Sequence, residues 1–259
     1  MKDPCILGVE SSCDDSSLAL VNRSGYVYFE KRLSQDKIHR EYGGVVPELA
    51  SRGHFSSLRS LQSELNSAIE KHDLVVEKVA VTMAPGLMGS LLVGSSFAQG
   101  LASALSVPLV GVHHLRGHVA SAFLQNEEIN RQPKIEPSLV LLVSGGHTQV
   151  IFHDEHLNCK ILAESADDAA GECLDKSAKL MGLDFPGGPH LEKLALKVSD
   201  FELAKKLSKE LPTPKSEKGF SFSGLKTAIR ICLEKNPSLV GSPEMAWAIE
   251  DSVLRALLN

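Results

Sequence analysis

The sequence Leu142-Val143-Ser144-Gly145-Gly146-His147-Thr148 places two adjacent glycines between two hydroxyl-bearing residues. Apolar runs at residues 138–143 and 149–152 flank the glycines. This pattern predicts two β-strands joined by a tight turn, because glycine reaches positive φ and has no side chain to cover the backbone N–H groups. Outward-pointing N–H groups form a site for anions, most often phosphate. An ordinary hairpin turn fits the same residues.

A similar arrangement lies near the start of the chain. Apolar runs at residues 5–9 and 18–21 flank a loop rich in hydroxyls and carboxylates, and another run at 26–29 follows the turn 22–25. Both halves of the chain therefore begin as strand, polar turn, strand, which indicates an internal duplication. Two such hairpins are suited to hold the two ends of a phosphate chain between two lobes, as in actin-like proteins and sugar kinases.

Alternating strand and helix patterns predict an α/β protein. Further strands are predicted at residues 79–81, 109–112 and 160–164, and helices at 55–69, 91–105, 166–181, 189–207, 223–233 and 243–258. Residues 126–137 are polar, contain two prolines and read as a linker between lobes 1–136 and 137–259. Residues 205–218 are charged, also contain two prolines and are predicted to form an exposed loop.

The composition is that of an ordinary globular protein, with 43% hydrophobic and 23% charged residues. A net charge of −5 argues against a strongly basic nucleic-acid binder, although a local basic patch or a basic partner could still recruit RNA. The five scattered cysteines contain no C-x-x-C pair and fit free thiols in a reducing compartment. No leader and no apolar run of membrane-spanning length are apparent, so we expect a cytoplasmic protein without a membrane segment.

His114 and His118 are four residues apart, directly after a predicted strand. On a helix they share one face, and both imidazoles could reach one metal ion. A pair of surface or core histidines is the alternative. A zinc protease needs a glutamate directly after the first histidine, and Leu115 occupies that position. Two histidines are too few, so a third ligand, which we expect to be a carboxylate, must come from elsewhere.

Eight segments in order along nearly the whole chain resemble the tRNA threonylcarbamoyladenosine transferase family, formerly called glycoproteases. They are residues 8–15, 42–52, 85–94, 142–148, 167–172, 175–176, 186–189 and 220–227. The resemblance implies an actin-like (ASKHA) two-lobed α/β fold of duplicated ribonuclease-H-like subdomains. It also implies the reaction: family members transfer the threonylcarbamoyl group from threonylcarbamoyl-AMP to N6 of adenosine 37, in tRNAs that read codons beginning with A, and release AMP.

The donor in this reaction is an already activated mixed anhydride, so no covalent enzyme nucleophile is needed. The site has to position two substrates and stabilise the developing oxyanion. We therefore interpret Cys13 as a packing residue and assign no catalytic residue.

The resemblance also implies roles for individual residues. His114 and His118 match metal ligands, for one Fe²⁺ per subunit or for zinc. The substrate-binding positions are Leu142, Val143, Ser144, Gly145, Gly146, Asp175, Gly188 and Glu192. A carboxylate at Glu192 suits ribose hydroxyls, and a solvated helix face fits it equally well. The implied partners are tRNA, threonylcarbamoyl-AMP, an inactive paralogous subunit and a small ATPase subunit.

The chain departs from the family pattern at its end. Family members continue by several tens of residues beyond the position of Asn259, with a Gly-Gly-rich adenosine loop and an aspartate that is the third metal ligand. We therefore expect an incomplete second lobe and a truncated or degenerate copy that is a poor enzyme by itself. Arg116 also replaces a glutamate that is usual between the histidines. The alternatives are an actin-like small-molecule kinase and a non-catalytic family member, although the family's inactive paralogue lacks the paired histidines.

Overall fold

The computed structural model describes residues 2–129, 134–213 and 219–258. The chain forms two compact units, Met1–Glu136 (unit 1) and Pro137–Asn259 (unit 2). Each unit has its own β-sheet and its own hydrophobic core, with helices packed on it. The α/β class predicted from the sequence is confirmed.

The sheet of unit 1 has five strands in the order β3-β2-β1-β4-β5. They are β1 (Asp3–Glu10), β2 (Ser16–Val21), β3 (Val27–Leu33), β4 (Leu74–Ala84) and β5 (Leu109–His113). The first three strands pair antiparallel, and β4 and β5 continue the sheet parallel to β1. This is the ribonuclease-H-like order that an actin-like lobe requires.

The helices of unit 1 are α1 (Asp36–His39), α2 (Pro47–Lys71), α3 (Met88–Leu105) and α4 (His114–Ser121), with a 3₁₀ turn at Arg40–Tyr42. Helix α2 begins with Pro47, whose fixed φ suits the first helical position. Its buried Leu58, Leu61 and Leu65 recur at helical spacing. They belong to one hydrophobic core with alternate residues of β1, of which Leu7 is 1% exposed.

Helix α3 buries a stripe of small residues, Ser90, Gly94, Ala98 and Ala102. The absence of large side chains on this stripe lets α3 pack closely on α2 and β4. Among the described residues, α3 is also the one helix whose length and composition would allow it to cross a membrane. This corrects the expectation that no apolar run is long enough, although such a single helix is weak evidence for a membrane span.

The sheet of unit 2 has the order β6-β7-β8-β9. Its strands are β6 (Ser138–Val143), β7 (Thr148–His153), β8 (Cys159–Ser165) and the two-residue β9 (Gly219–Phe220). The first three pair antiparallel, as in unit 1, and β9 lies parallel to β8. The predicted duplication is therefore visible in the strand order. In the part of unit 2 that the structure describes, no strands correspond to β4 and β5. Strands β6, β7 and β8 match the three antiparallel strands of unit 1, and β9 is added beside β8.

Five helices follow these strands in unit 2: α5 (Ala170–Leu180), α6 (Gly187–Ala195), α7 (Phe201–Glu210), α8 (Ser223–Lys235) and α9 (Pro243–Leu258), with a 3₁₀ turn at Pro237–Leu239. Helix α9 packs on α5, α6 and α7. Its Met245 and Ile249 are fully buried, as are Leu225 and Ile229 of α8. Helix α9 therefore forms the centre of the unit 2 core.

Two predictions about the second half are wrong in part. Residues 189–207 form α6 and α7 rather than one helix, because Asp200 starts a new helix by accepting a hydrogen bond from the N–H of Leu203 (2.9 Å). Residues 205–210 belong to α7, where Leu207 and Ser208 are buried, and not to a loop. Residues 214–218 of that predicted loop and 130–133 of the predicted linker lie outside the described residues.

The carboxylate of Asp167 ties the loop after β8 to the start of α8. One oxygen accepts from the N–H groups of Phe222 (2.7 Å) and Ser223 (3.2 Å), and the other from the hydroxyls of Ser221 and Ser223. Partial burial raises the pKa of Asp167, but these hydrogen bonds outweigh it, so the pKa lies below its ordinary value. Asp167 is therefore ionised at neutral pH and stabilises the N-terminus of α8.

Replacement of this cap is expected to cost stability in a pH-dependent way. Asp167→Ala should lower the free energy of unfolding by about 1 kcal/mol near neutral pH. A carboxylate with a lowered folded-state pKa stabilises the fold above its unfolded pKa, near 3.9, and this contribution is lost as the pH falls through the folded-state value. Urea unfolding at about pH 7 and about pH 3 checks this, with the exposed Asp184→Ala as control. An equal loss at both pH values would contradict it.

Candidate functional site

The two predicted metal ligands of unit 1 lie side by side. His114 begins α4 directly after β5, and His118 follows one helical turn later. Their Nε2 atoms are 3.2 Å apart and their rings meet edge to face. Two nitrogens on one metal ion, each about 2.1 Å from it, are separated by about 3.0 to 3.4 Å. The geometry of the pair therefore fits joint coordination of one ion.

Glu10, at the end of β1, orients this pair. Its Oε2 lies 3.1 Å from Nδ1 of His114 and 2.5 Å from the hydroxyl of Thr82. Burial raises the pKa of Glu10, but hydrogen bonds from His114, Ser12 and Thr82 lower it to about 2. The ionised carboxylate accepts the Nδ1–H of His114, which leaves the Nε2 lone pair of His114 on the side of His118.

Parallel pairing explains why these residues meet. Strands β1, β4 and β5 run parallel, so their carboxyl ends lie at one edge of the sheet. Glu10 ends β1, Thr82 lies near the end of β4, and His114 follows β5. Glu10 is not among the predicted site residues, because the sequence pattern places it at the start of a polar loop. Its position at the end of a predicted strand is the signal that could have identified it.

The described residues supply two candidate metal ligands here and no complete set. No group of three or more His, Cys, Asp or Glu residues that could hold a metal is found among them. The expectation that this pair binds a metal together with a third ligand from elsewhere stays a prediction. Leu115 is 6% exposed and packs into unit 1, so the position of a protease general base is occupied by a core side chain.

A buried polar network holds the loop between β1 and β2 on α2. His54 is fully buried; its Nδ1 lies 2.7 Å from the hydroxyl of Ser16 and its Nε2 lies 2.9 Å from the carbonyl of Cys13. Because a carbonyl only accepts, Nε2 carries the proton and Nδ1 accepts from Ser16. Cys13 is exposed, so its interpretation as a packing residue is wrong, but desolvation and nearby Asp14 raise the pKa of its thiol to about 12. Its thiol stays protonated, which makes it a poor nucleophile.

The glycine turn of unit 2 joins β6 and β7 as predicted. The N–H of Ser144 donates to the carbonyl of His147 (2.8 Å), and the N–H of His147 donates to the hydroxyl of Ser144 (3.0 Å). Among the described residues, the N–H groups of Gly145 and Gly146 have no hydrogen-bond partner. Neither glycine has a positive φ, so that part of the prediction is wrong. A Cβ on either would meet nothing within 4 Å, so the turn is open to a ligand.

Helix α5 begins directly against this turn. The N–H of Ala170 donates to the Thr148 hydroxyl (2.8 Å), and that of Gly171 donates to the Ser144 carbonyl (3.2 Å). A Cβ on Gly171 would lie 2.5 Å from that carbonyl oxygen and 2.8 Å from the Cα of Gly145. Only glycine allows this approach, because the obstructing atoms are backbone.

The other predicted substrate residues continue along one surface, which we call the substrate strip. Asp175 lies one turn after Gly171 on α5, and its Oδ1 accepts from the N–H groups of Gly187 (2.7 Å) and Gly188 (3.2 Å). Glu192 is exposed one turn after Gly188 on α6. At the start of the strip, Leu142 is 7% exposed, so its side chain belongs to the core. The structure thus connects Ser144, Gly145, Asp175, Gly188 and Glu192 by contact or by helical neighbourhood.

Comparison with known proteins gives a consistent match. Residues 26–259 match the family model of the tRNA N6-adenosine threonylcarbamoyltransferases. The protein of that name from Nitratiruptor sp. is 45% identical over 239 residues, which are 90% of this chain and 68% of the relative. Those from Carboxydothermus hydrogenoformans and Polaromonas sp. are 41% and 45% identical, over 98% of this chain and 73% of each relative.

Solved structures give only distant similarity. The ethanolamine utilization protein EutJ from Carboxydothermus hydrogenoformans has a TM-score of 0.42 and 16% identity, over 95% of this chain and 90% of its own. YeaZ from Pseudomonas aeruginosa has a TM-score of 0.36 and 15% identity, over 61% and 65%. Scores this low carry no information about function.

The family model covers the chain from residue 26 to its end, and relatives more than 40% identical align over most of it. This match argues against the small-molecule kinase alternative. The chain belongs to the tRNA N6-adenosine threonylcarbamoyltransferase family.

Proposed function

We propose that this protein is the acyltransferase that moves a threonylcarbamoyl group from threonylcarbamoyl-AMP to N6 of adenosine 37. The tRNAs are those that read codons beginning with A, and AMP is the second product. Family membership supports the reaction. The observation that carries the proposal is the substrate strip, which begins at a turn with two unpartnered N–H groups.

The turn is suited to the phosphate of the adenylate. The N–H groups of Gly145 and Gly146 are available to phosphate oxygens, and the N-terminus of α5 lies directly behind them. Backbone N–H groups and a helix dipole both favour negative charge. Because AMP leaves as an anion, these same donors stabilise the leaving group as the acyl–phosphate bond breaks.

Asp175, Gly188 and Glu192 position the rest of the adenylate. The hydrogen bonds from Gly187 and Gly188 hold the Asp175 carboxylate between α5 and the start of α6. The carboxylate of Glu192, one turn further, suits the vicinal hydroxyls of the ribose. With an activated donor, these residues need to orient rather than attack, and we assign none of them a covalent role.

His114 and His118 are proposed to hold one Fe²⁺ ion, with zinc as the alternative metal. The 3.2 Å separation of their Nε2 atoms supports this. A bound ion would act as a Lewis acid that polarises a substrate oxygen. Glu10 would fix the tautomer of His114 and increase the basicity of its Nε2.

An exposed apolar surface on unit 1 fits the proposed protein partners. The close approach of Ser51 on α2 to Gly89 on α3 brings the starts of these helices together. Around it, Phe55 is 63% exposed, Met88 81% and Leu92 64%. Such a patch is typical of a protein interface. We propose that the inactive paralogous subunit docks there, that a small ATPase subunit completes the complex, and that the complex acts in the cytoplasm.

The transfer reaction tests the proposed function. The chain, in excess, is incubated with threonylcarbamoyl-AMP and a tRNA that reads a codon beginning with A, so that even slow transfer is detected. We expect threonylcarbamoyladenosine at position 37 well above the protein-free background, measured by mass spectrometry of nucleosides. The matched control is the same tRNA with guanosine at position 37. No product with adenosine 37, or equal labelling of both tRNAs, would refute the proposal.

The metal assignment predicts a loss of bound ion from one double variant. Because the described residues supply only two ligands, binding is measured at equilibrium: in anaerobic dialysis against Fe²⁺ or Zn²⁺, the wild-type chain should bind about one ion. His114→Ala combined with His118→Ala should retain none, because both proposed ligands are lost. The control is His113→Ala combined with His156→Ala, two exposed histidines outside the pair. Elemental analysis gives the readout, and an unchanged ion content in the first variant would show that the ligands are misassigned.

The turn predicts a specific loss of nucleotide affinity. Gly145→Val should weaken AMP binding by at least about tenfold, because a branched side chain fills the space in front of the N–H groups. The fold has room for this side chain, since nothing lies within 4 Å of a Cβ there. Gly224→Val, at an equally open position on α8, is the control. Isothermal titration calorimetry measures both, and equal affinities would exclude the turn from the site.

A further inference from the structure

Helices α5 and α8 enclose a basic groove on unit 2, with a volume of about 630 Å³. Four of its six lining residues are cations: Lys176 and Lys179 on α5, and Lys226 and Arg230 on α8. Leu180 and Thr227 complete the lining, and no carboxylate contributes to it. These four cations form a local concentration of positive charge on a chain whose net charge is −5.

Asp168 holds two of these cations in place at one end of the groove. Its Oδ1 lies 2.9 Å from the ammonium of Lys176, and its Oδ2 lies 3.2 Å from that of Lys226. Lys176 is also paired with Glu172, at 2.7 Å. Both lysine side chains keep about a third of their surface exposed, at 38% and 34%. They are therefore fixed in position on both walls and still accessible to a ligand.

The other two cations are less neutralised. Among the described residues, Lys179 is exposed and takes part in no ion pair. Arg230 is 58% exposed and only approaches Glu234 of its own helix, at 4.0 Å. Lys176 and Lys179 are three residues apart on α5, and Lys226 and Arg230 are four apart on α8, so each pair shares a helix face. The charges thus follow both walls of the groove rather than converge on one point.

Helix α5, which forms one wall of the groove, begins against the glycine turn. Gly171, in the first turn of α5, lies against Ser144, and Lys179 follows eight residues later, about 12 Å along the helix axis. A polyanion that reaches the turn at one end of α5 can therefore extend to the groove at the other.

We propose that this groove binds the sugar-phosphate backbone of the tRNA. The proposal rests on the proposed function, which requires an acidic protein to bind a polyanion. Cations spread along two helices match successive phosphates of a strand better than one compact anion. Lysine and arginine contacts to phosphate position a nucleic acid without reading its sequence, which suits an enzyme that modifies several tRNAs.

Salt-dependent tRNA binding tests the groove. Lys179→Gln combined with Arg230→Gln removes the two least neutralised cations and leaves the Asp168 bridges intact. Lys206→Gln combined with Lys209→Gln, on exposed positions of α7, removes the same charge elsewhere and is the matched control. Fluorescence anisotropy with labelled tRNA is measured with the full chain over a series of salt concentrations.

The groove variant should bind about tenfold more weakly near 0.1 M salt, and its plot of log K against log salt should be shallower by about 1.5, the value expected for two lost phosphate contacts. The control variant should match the wild-type chain within about twofold, and Lys179→Arg with Arg230→Lys should keep the affinity, because the charge is retained.

Three results would overturn the proposal. If the groove variant binds tRNA with unchanged affinity and slope while the wild-type chain binds, the groove assignment is wrong and the proposed function stands. If the wild-type chain does not bind tRNA at any salt concentration, the proposed function fails together with it. If the groove variant loses affinity for polyglutamate and keeps that for tRNA, the groove serves an acidic protein instead.

Discussion

The approach of Gly171 to the backbone of Ser144 and Gly145 governs unit 2. This approach places the start of α5 against the turn. A Cβ added to Gly171 would lie 2.5 to 2.8 Å from backbone atoms of the turn, a distance that no residue other than glycine tolerates. The other residues proposed to bind ligands in this unit lie on α5 or are positioned by it. One face of α5 carries Asp175, which caps α6 and so places Gly188 and Glu192. Further along the same helix, Lys176 and Lys179 form one wall of the basic groove. A single helix thus connects the glycine turn, the residues proposed to hold the nucleoside and the basic groove.

Unit 1 depends on a different constraint, the shared edge of parallel strands. The carboxyl ends of β1, β4 and β5 meet at that edge, which brings Glu10, Thr82 and His114 within hydrogen-bond distance although they are far apart in sequence. The ionised Glu10 then orients His114 toward His118. The carboxylate costs desolvation, and the hydrogen bonds that it accepts offset this cost. The histidine pair is therefore supported by the sheet as well as by its own helix.

Local sequence patterns predicted the structure correctly where a single period or spacing dominated the segment. The strand–turn–strand openings of both units, the helical spacing in α2 and α3, and the side-by-side placement of His114 and His118 follow from period and spacing alone. The single helix predicted over residues 189–207 was wrong, because Asp200 caps a new helix within an otherwise helical pattern. The positive φ expected in the glycine turn was also wrong: Gly145 and Gly146 serve there by lacking side chains.

The sequence by itself determined the α/β class, the family, and the residues of the turn and of the histidine pair, because these are encoded by neighbours within a few positions. Only the tertiary structure decided that Glu10 supports His114, that Gly171 lies behind the turn, and that cations from α5 and α8 line one groove. These residues are separated by tens of positions along the chain. Their proximity arises from strand order and helix packing, which depend on how the whole core is buried and leave no local periodic signal.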